Sequence, residues 1–155
     1  MAAALALTAL FAPAAKATVP PRAGMTPTAT GAEVPQPALV VQVSKERQEM
    51  TVLRDGEVFA VWPVSTARAG KVTPVGEWRP QSLVRFHRSR LYNGAPMPWS
   101  IFYDGHYAIH GTTETHKLGR PASAGCIRLH PDNARVLWEM VREIGRDATR
   151  VVVTD

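Results

Sequence analysis

Short apolar runs rich in β-branched residues recur along the chain, and one longer stretch follows a different period. Residues 38–44 (ALVVQVS) and 49–54 (EMTVLR) read as strands. Asp55-Gly56 follows, a pair that tolerates the positive φ of a type I′ hairpin turn, and residues 57–65 (EVFAVWPVS) complete a meander. Pro63 has no N–H to give to a ladder, which places it on an edge strand, at a bulge or at the strand's end. Beyond a segment marked by Gly70, Pro74, Gly76 and Pro80, residues 98–103 (PWSIFY) and 106–110 (HYAIH) flank Asp104-Gly105, a second hairpin signal. Residues 111–124 are small and polar and read as a long loop, after which 125–129 (GCIRL) form a short strand. In residues 131–145 (PDNARVLWEMVREIG) the period changes. Ala134, Leu137, Trp138, Val141 and Ile144 recur at spacings of three and four, one apolar helix face with proline at its start and Gly145 just past its end. Residues 150–153 (RVVV) supply a last strand that closes the sheet. No internal repeat is visible. The pattern predicts a mostly β architecture with one α-helix, in the C-terminal half, packed on the sheet.

A length of 155 residues suits one core and leaves no room for two. The composition, 45% hydrophobic and 20% charged, is that of a globular protein, but its thirteen prolines cluster early. Residues 1–17 (MAAALALTALFAPAAKA) run an apolar stretch into Ala15-Lys16-Ala17, an A-x-A cleavage pattern, and are expected to be a signal peptide. That run is too short to span a bilayer, and no later stretch is long enough. Residues 18–37 carry five prolines and almost no large apolar side chains, so they are expected to be a disordered linker before a folded region at 38–155. The net charge of +5 favours anionic partners. The densest basic stretch, residues 79–90 (RPQSLVRFHRSR), has few interleaved aromatics, and an exported protein meets little nucleic acid. It therefore reads as a solvated rim facing an anionic surface or polymer, with no nucleic-acid partner expected.

Cys126 is the only cysteine. An oxidising compartment usually pairs thiols, and this one has no internal partner, so it is either a small buried hydrophobe or a functional thiol. Ser123-Ala124-Gly125 puts it at a loop-to-strand junction, where backbone N–H groups can escape the ladder and face an acyl oxygen. Two residues on, Arg128 is expected on the same strand face, making the site electropositive. A thiol with the ordinary pKa is only slightly ionised at neutral pH, so a catalytic one needs such a charge or a neighbouring base. His110, at the end of the other strand entering the loop, is the leading base, and the carbonyl of Gly111 can approach its ring closely enough to set the tautomer. His106, His116 and His130 are the alternatives. His106, His110, Cys126 and His130 also make a zinc-type donor set. The two histidines stand in a strand-like pattern, however, without the helix of an H-E-x-x-H site, and no glutamate follows His106. No metal is expected.

His110-Gly111-Thr112, a dozen residues of loop, and then Ser123-x-Gly125-Cys126-Ile127-Arg128 resemble the signature of the YkuD-type L,D-transpeptidase catalytic domain. The resemblance covers about residues 38–155. It implies a β-sandwich or barrel-like catalytic domain, exported to the periplasm or cell envelope to act on peptidoglycan stem peptides. Cys126 would attack the third residue of a tetrapeptide stem, D-alanine would leave, and an amine of another stem would take the acyl group from the thioester in a 3→3 cross-link. The resemblance further implies that His110 is base and then acid, and that the Gly111 carbonyl orients it. N–H groups around Gly125 and Cys126 would hold the oxyanion, while Ser123 and Arg128 shape the site and meet substrate carboxylates. Carbapenem-type β-lactams are the implied inhibitors. Many members carry a polar residue where this chain has Ala124. The thioester conserves bond energy, so no cofactor, ATP or metal is required. L,D-carboxypeptidase activity, attachment of an outer-membrane protein to peptidoglycan, and a non-catalytic wall-binding domain are the alternatives.

Overall fold

β1 (Leu39–Ser44) and β2 (Glu49–Arg54) pair antiparallel across a tight connection, and β3 (Glu57–Pro63) pairs with β2. The structure is a computed structural model in which residues 36–155 are described. The expected signal peptide lies outside the described residues, as does all but the end of the expected linker. Asp55 and Gly56 take φ of 51° and 85°, as a type I′ turn demands. Leu39, Val41 and Val43 of β1 and Met50 and Val52 of β2 are buried at alternate positions, so these strands present one apolar face. β3 is the sheet's edge and ends at Pro63, while the register shift sits opposite, between Val52 and Leu53.

The last strand departs from expectation. β9 (Thr149–Thr154) runs parallel to β1 and antiparallel to β4 (Gly76–Trp78), giving the order β3-β2-β1-β9-β4. It lies inside a sheet rather than closing one, because a three-residue strand within the Gly- and Pro-marked segment covers its far side.

A second sheet, ordered β5-β6-β7-β8, consists of β5 (Ser82–Arg88), β6 (Pro96–Asp104), β7 (Tyr107–Gly111) and β8 (Ile127–Leu129). β5 corrects the reading of residues 79–90 as a rim alone. It is an edge strand whose charged Arg85 and Arg88 mask the apolar signal. α1 (Pro131–Ile144) buries Ala134, Leu137, Trp138 and Val141 as the period predicts, adds Met140, and leaves Ile144 partly covered. It packs on β6 and β7. The inner faces of both sheets and of α1 share one apolar cluster.

Residues beyond β3 tie the sheets together. Ser65 exchanges backbone bonds of 3.0 and 2.9 Å with Arg128, and Ala122 and Ser123 both donate to the Thr66 carbonyl at 3.0 and 2.9 Å. The free edge of β8 is thereby covered, and the loop leading into it is pinned at its end.

Candidate active site

β7 and β8 run parallel with Ile109 opposite Ile127, His110 opposite Arg128 and Gly111 opposite Leu129. Parallel neighbours need a crossover of about a dozen residues or more, and the polar loop after Gly111, which contains a 3₁₀ turn at Thr115–Lys117, provides it. His110, Cys126, Arg128, Ser123 and Gly125 all line one cleft of about 650 Å³ on this sheet. Sequence positions far apart thus meet because one strand pair is in register.

His110 is 6% exposed, and its Nδ1 lies 2.7 Å from the Gly111 carbonyl oxygen. A carbonyl only accepts, so Nδ1 carries the proton and Nε2 keeps a free lone pair. Burial pushes the imidazole pKa down to about 4, against the Gly111 bond, with Arg128 and His87 adding repulsion. The ring is neutral at any pH near 7.

Cys126 is partly buried and its thiol faces the His106 carbonyl at 3.8 Å. Burial pushes the thiol pKa up, opposed by a backbone bond at Ala108 and by Arg128. Arg128 lies on the cleft side with the thiol and favours its ionised form, but burial outweighs that charge. Arg128 is itself engaged: its guanidinium donates to Glu114 at 2.7 Å, and Glu114 also pairs with Lys117. These two cations, Lys117 foremost, hold the Glu114 carboxyl below the usual carboxylate range. Arg128 therefore meets the cleft with one carboxylate bound. The resting pair is a neutral thiol and a neutral imidazole.

The turn before the thiol is rigid. Ser123, 1% exposed, accepts a 3.0 Å bond from the Gly125 N–H. Gly125 sits at φ 139°, and a Cβ there would lie 2.7 Å from the Tyr107 ring and 2.9 Å from the Val72 carbonyl, so only glycine fits. The Gly125 N–H is consequently committed to Ser123 and is not free to meet an oxyanion. The N–H groups of Ala124 and Cys126 have no partner among the described residues.

Thr73 went unread in the sequence. It is 1% exposed, donates to the Gly125 carbonyl at 2.7 Å and accepts from Ala67 N–H at 3.0 Å. Nothing in a segment of scattered glycines and prolines signals that role, which exists only through the fold. Of the other histidines, His87 and His106 also line the cleft, whereas His116 and His130 do not. His106 sits at the β6–β7 turn with its ring 4.3 Å from that of Tyr107, His116 is in the 3₁₀ turn, and His130 caps α1. Among the described residues no group of three or more His, Cys, Asp or Glu side chains is placed to hold a metal ion.

Two packed sheets with a helix, and a cysteine and a histidine in one cleft, define a β-rich domain of the kind found in a family of cysteine-dependent acyltransferases. The profile of the L,D-transpeptidase catalytic domain family matches residues 38–153, and the chain belongs to that family. It is 31% identical over 128 residues to YqjB of Bacillus subtilis, whose name assigns it to the L,D-transpeptidases, with 74% of this chain and 70% of that protein covered. The solved structure of the L,D-transpeptidase LdtMt1 in complex with imipenem is similar at 24% identity and TM-score 0.66, over 76% of this chain and 59% of that one. L,D-transpeptidase 3 from Mycobacterium tuberculosis, in complex with a faropenem-derived adduct, is similar at 22% identity and TM-score 0.66, over 77% and 61%. The chain thus spans about three fifths of the solved structures it matches.

Proposed function

We propose that the protein is a peptidoglycan L,D-transpeptidase, exported to the periplasm or cell envelope, in which Cys126 is the nucleophile and His110 the base. The observation that carries this reading is His110, its Nδ1 bonded to Gly111 at 2.7 Å, in the same cleft as the thiol on the neighbouring strand. A neutral imidazole and a neutral thiol make proton transfer part of the attack: as sulfur adds to the carbonyl of the third stem residue, the thiol proton passes to Nε2. The oxyanion is assigned to the Ala124 and Cys126 N–H groups, a reading supported by their lack of partners among the described residues and by the hold of Ser123 and Thr73 on the turn between them. Collapse of the tetrahedral adduct breaks the peptide bond, Nε2 returns the proton to the departing D-alanine amine, and a thioester remains. An amine from a second stem then adds to the thioester, His110 takes its proton and passes it to the departing sulfur, and the 3→3 cross-link forms as the neutral thiol is restored. Arg128 orients a substrate carboxylate with the donors that Glu114 leaves free. The imipenem complex and the faropenem-derived adduct of L,D-transpeptidases of similar fold support acylation of Cys126 by β-lactams.

Incubation with purified disaccharide-tetrapeptide, read by mass, tests the proposal. A dimer that has lost one D-alanine is the expected product, and unchanged substrate would refute it. A trimmed monomer alone would make water the acceptor, and a protein-linked stem peptide would make a polypeptide the acceptor.

A further inference from the structure

The basic stretch noted in the sequence is not absorbed by the thiol chemistry, and the side chains it presents from β5 form a surface of their own. Phe86 is 77% exposed, the most exposed of the large apolar side chains among the described residues. Its ring lies 6.2 Å from that of Trp99 on β6, which in turn lies 5.5 Å from Trp138 on α1. Arginines stand on this aromatic row: Arg85 sits 5.1 Å from the Phe86 ring centre and 4.8 Å from that of Trp99, with Arg135 at 5.9 Å from Trp99. Arg85 has no carboxylate partner among the described residues, whereas Glu139 is taken by Arg135 at 3.0 Å.

A second observation concerns the backbone. Trp99 takes φ 58° in the middle of β6, a left-handed conformation that a bulky side chain rarely adopts. Such strain persists only where surrounding structure enforces it, and it concentrates at functional positions. A shallow groove bounded by Phe86, Arg88 and Pro98 adjoins this row, and His87 and Pro96 line both that groove and the catalytic cleft. The β5–β6 edge at His87 and Pro96 therefore separates this surface from the cleft, and the surface carries the unpaired positive charge of Arg85.

We infer that this aromatic and arginine surface is a subsite for the sugar strand of the polymer whose stem peptide enters the cleft, bound through pyranose faces and hydroxyls and, where stem peptides have been removed, through free lactyl carboxylates. The identity of the polymer rests on the proposed function. The chemistry fits the occupant: the apolar C–H face of a pyranose covers an exposed aromatic ring, and guanidinium groups bind carboxylates and hydroxyls in a fixed fork. A nucleic acid would meet only one freely exposed ring, and an apolar protein partner would leave the arginines unpaired.

Calorimetric titration of the full chain with amidase-treated glycan strands, which carry free lactyl carboxylates and no peptide, tests the inference. Binding is expected, weakened about tenfold by Phe86→Ala, a loss on the scale of one aromatic contact, and to a similar degree by Arg85→Gln. Both substitutions are on the surface, and carbapenem adduct formation at Cys126 should proceed in each at the unsubstituted rate. Equal glycan affinity in all three proteins would overturn the subsite, as would displacement by heparin at the same concentration as by glycan. Self-association abolished by Phe86→Ala, without glycan binding, would reassign the surface to a second copy and likewise overturn it. Glycan binding without any adduct would sustain the subsite while refuting the transpeptidase reading.

Discussion

In β1 and β2 every second residue is buried and every buried one is apolar, whereas β7 buries four residues in a row, Ala108, Ile109, His110 and Gly111. The first pattern belongs to a sheet with one face on the core. The second belongs to a strand covered on both sides, by the core beneath and the cleft above. Of the buried polar side chains, Thr149 and Gln48 belong to the five-stranded sheet and its β1–β2 turn, whereas His110, Thr112 and Ser123 line the cleft and Thr73 holds the Gly125 carbonyl beside it. Dry surroundings are what make a neutral histidine available there, and they are also what makes that region costly to build. Both sheets contribute to the one apolar cluster, and the β7–β8 side of the second also lines the cleft.

The largest effect should fall on the thiol. Cys126→Ala is expected to abolish both the carbapenem adduct and any cross-linked product while leaving the unfolding midpoint in urea nearly unchanged; product from that variant would refute the nucleophile assignment. The opposite variant tests the other sheet. Leu39→Ala, at a fully buried position of β1, should cost about 2–5 kcal/mol in urea unfolding and leave the acylation rate of the folded protein intact. A slowed reaction there would erase the contrast between the two regions.

Next in size is the pH dependence of stability. An unfolded imidazole takes a proton near 6.5, whereas folded His110 resists until about 4, so between those values the unfolded chain binds more protons. The His110 contribution is complete above pH 6.5 and disappears as pH falls toward 4, a loss of about 3 kcal/mol. Urea unfolding at pH 7.5 and 4.5 should show a steeper loss in the native sequence than in His110→Asn. Equal slopes would remove the buried neutral ring from the account. The same depression predicts that acylation by a carbapenem keeps its rate from pH 7 down to about 5 and falls only near 4.

The smallest expected effect concerns Thr73. Thr73→Val removes the bond to the Gly125 carbonyl, worth about 1 kcal/mol, and should slow acylation several-fold at unchanged binding of the β-lactam, with Thr73→Ser restoring the rate. Stopped-flow acylation separates the two constants. A variant that lowered only the unfolding midpoint would make the contact structural alone.

Legibility in the sequence followed how local each signal was. The hairpin at Asp55-Gly56 and the helix over Pro131–Ile144 were readable because turn residues and apolar period act within a few positions. β4 and β5 were not. β4 is three residues held by β9, and β5 carries Arg85 and Arg88 on an edge that needs charge to stay unpaired. Cys126, His110, Gly111, Ser123, Gly125 and Arg128 were picked out by residue type and motif, and all but Gly111 line the cleft while its carbonyl holds His110. Their working state was not readable. The ion pair of Arg128 with Glu114, the commitment of the Gly125 N–H to Ser123 and the anchor at Thr73 all depend on which segments meet.

By itself the sequence determined the strands that alternate, the one helix, and a solitary thiol with a histidine that together match a family signature. Only the tertiary structure decided that β9 lies within a sheet, that thiol and imidazole rest uncharged, and that Phe86, Trp99 and Trp138 line up in a row flanked by arginines. The physical reason is range. Backbone propensity and side-chain period are settled among near neighbours, whereas desolvation, charge pairing and register depend on residues brought together from distant parts of the chain.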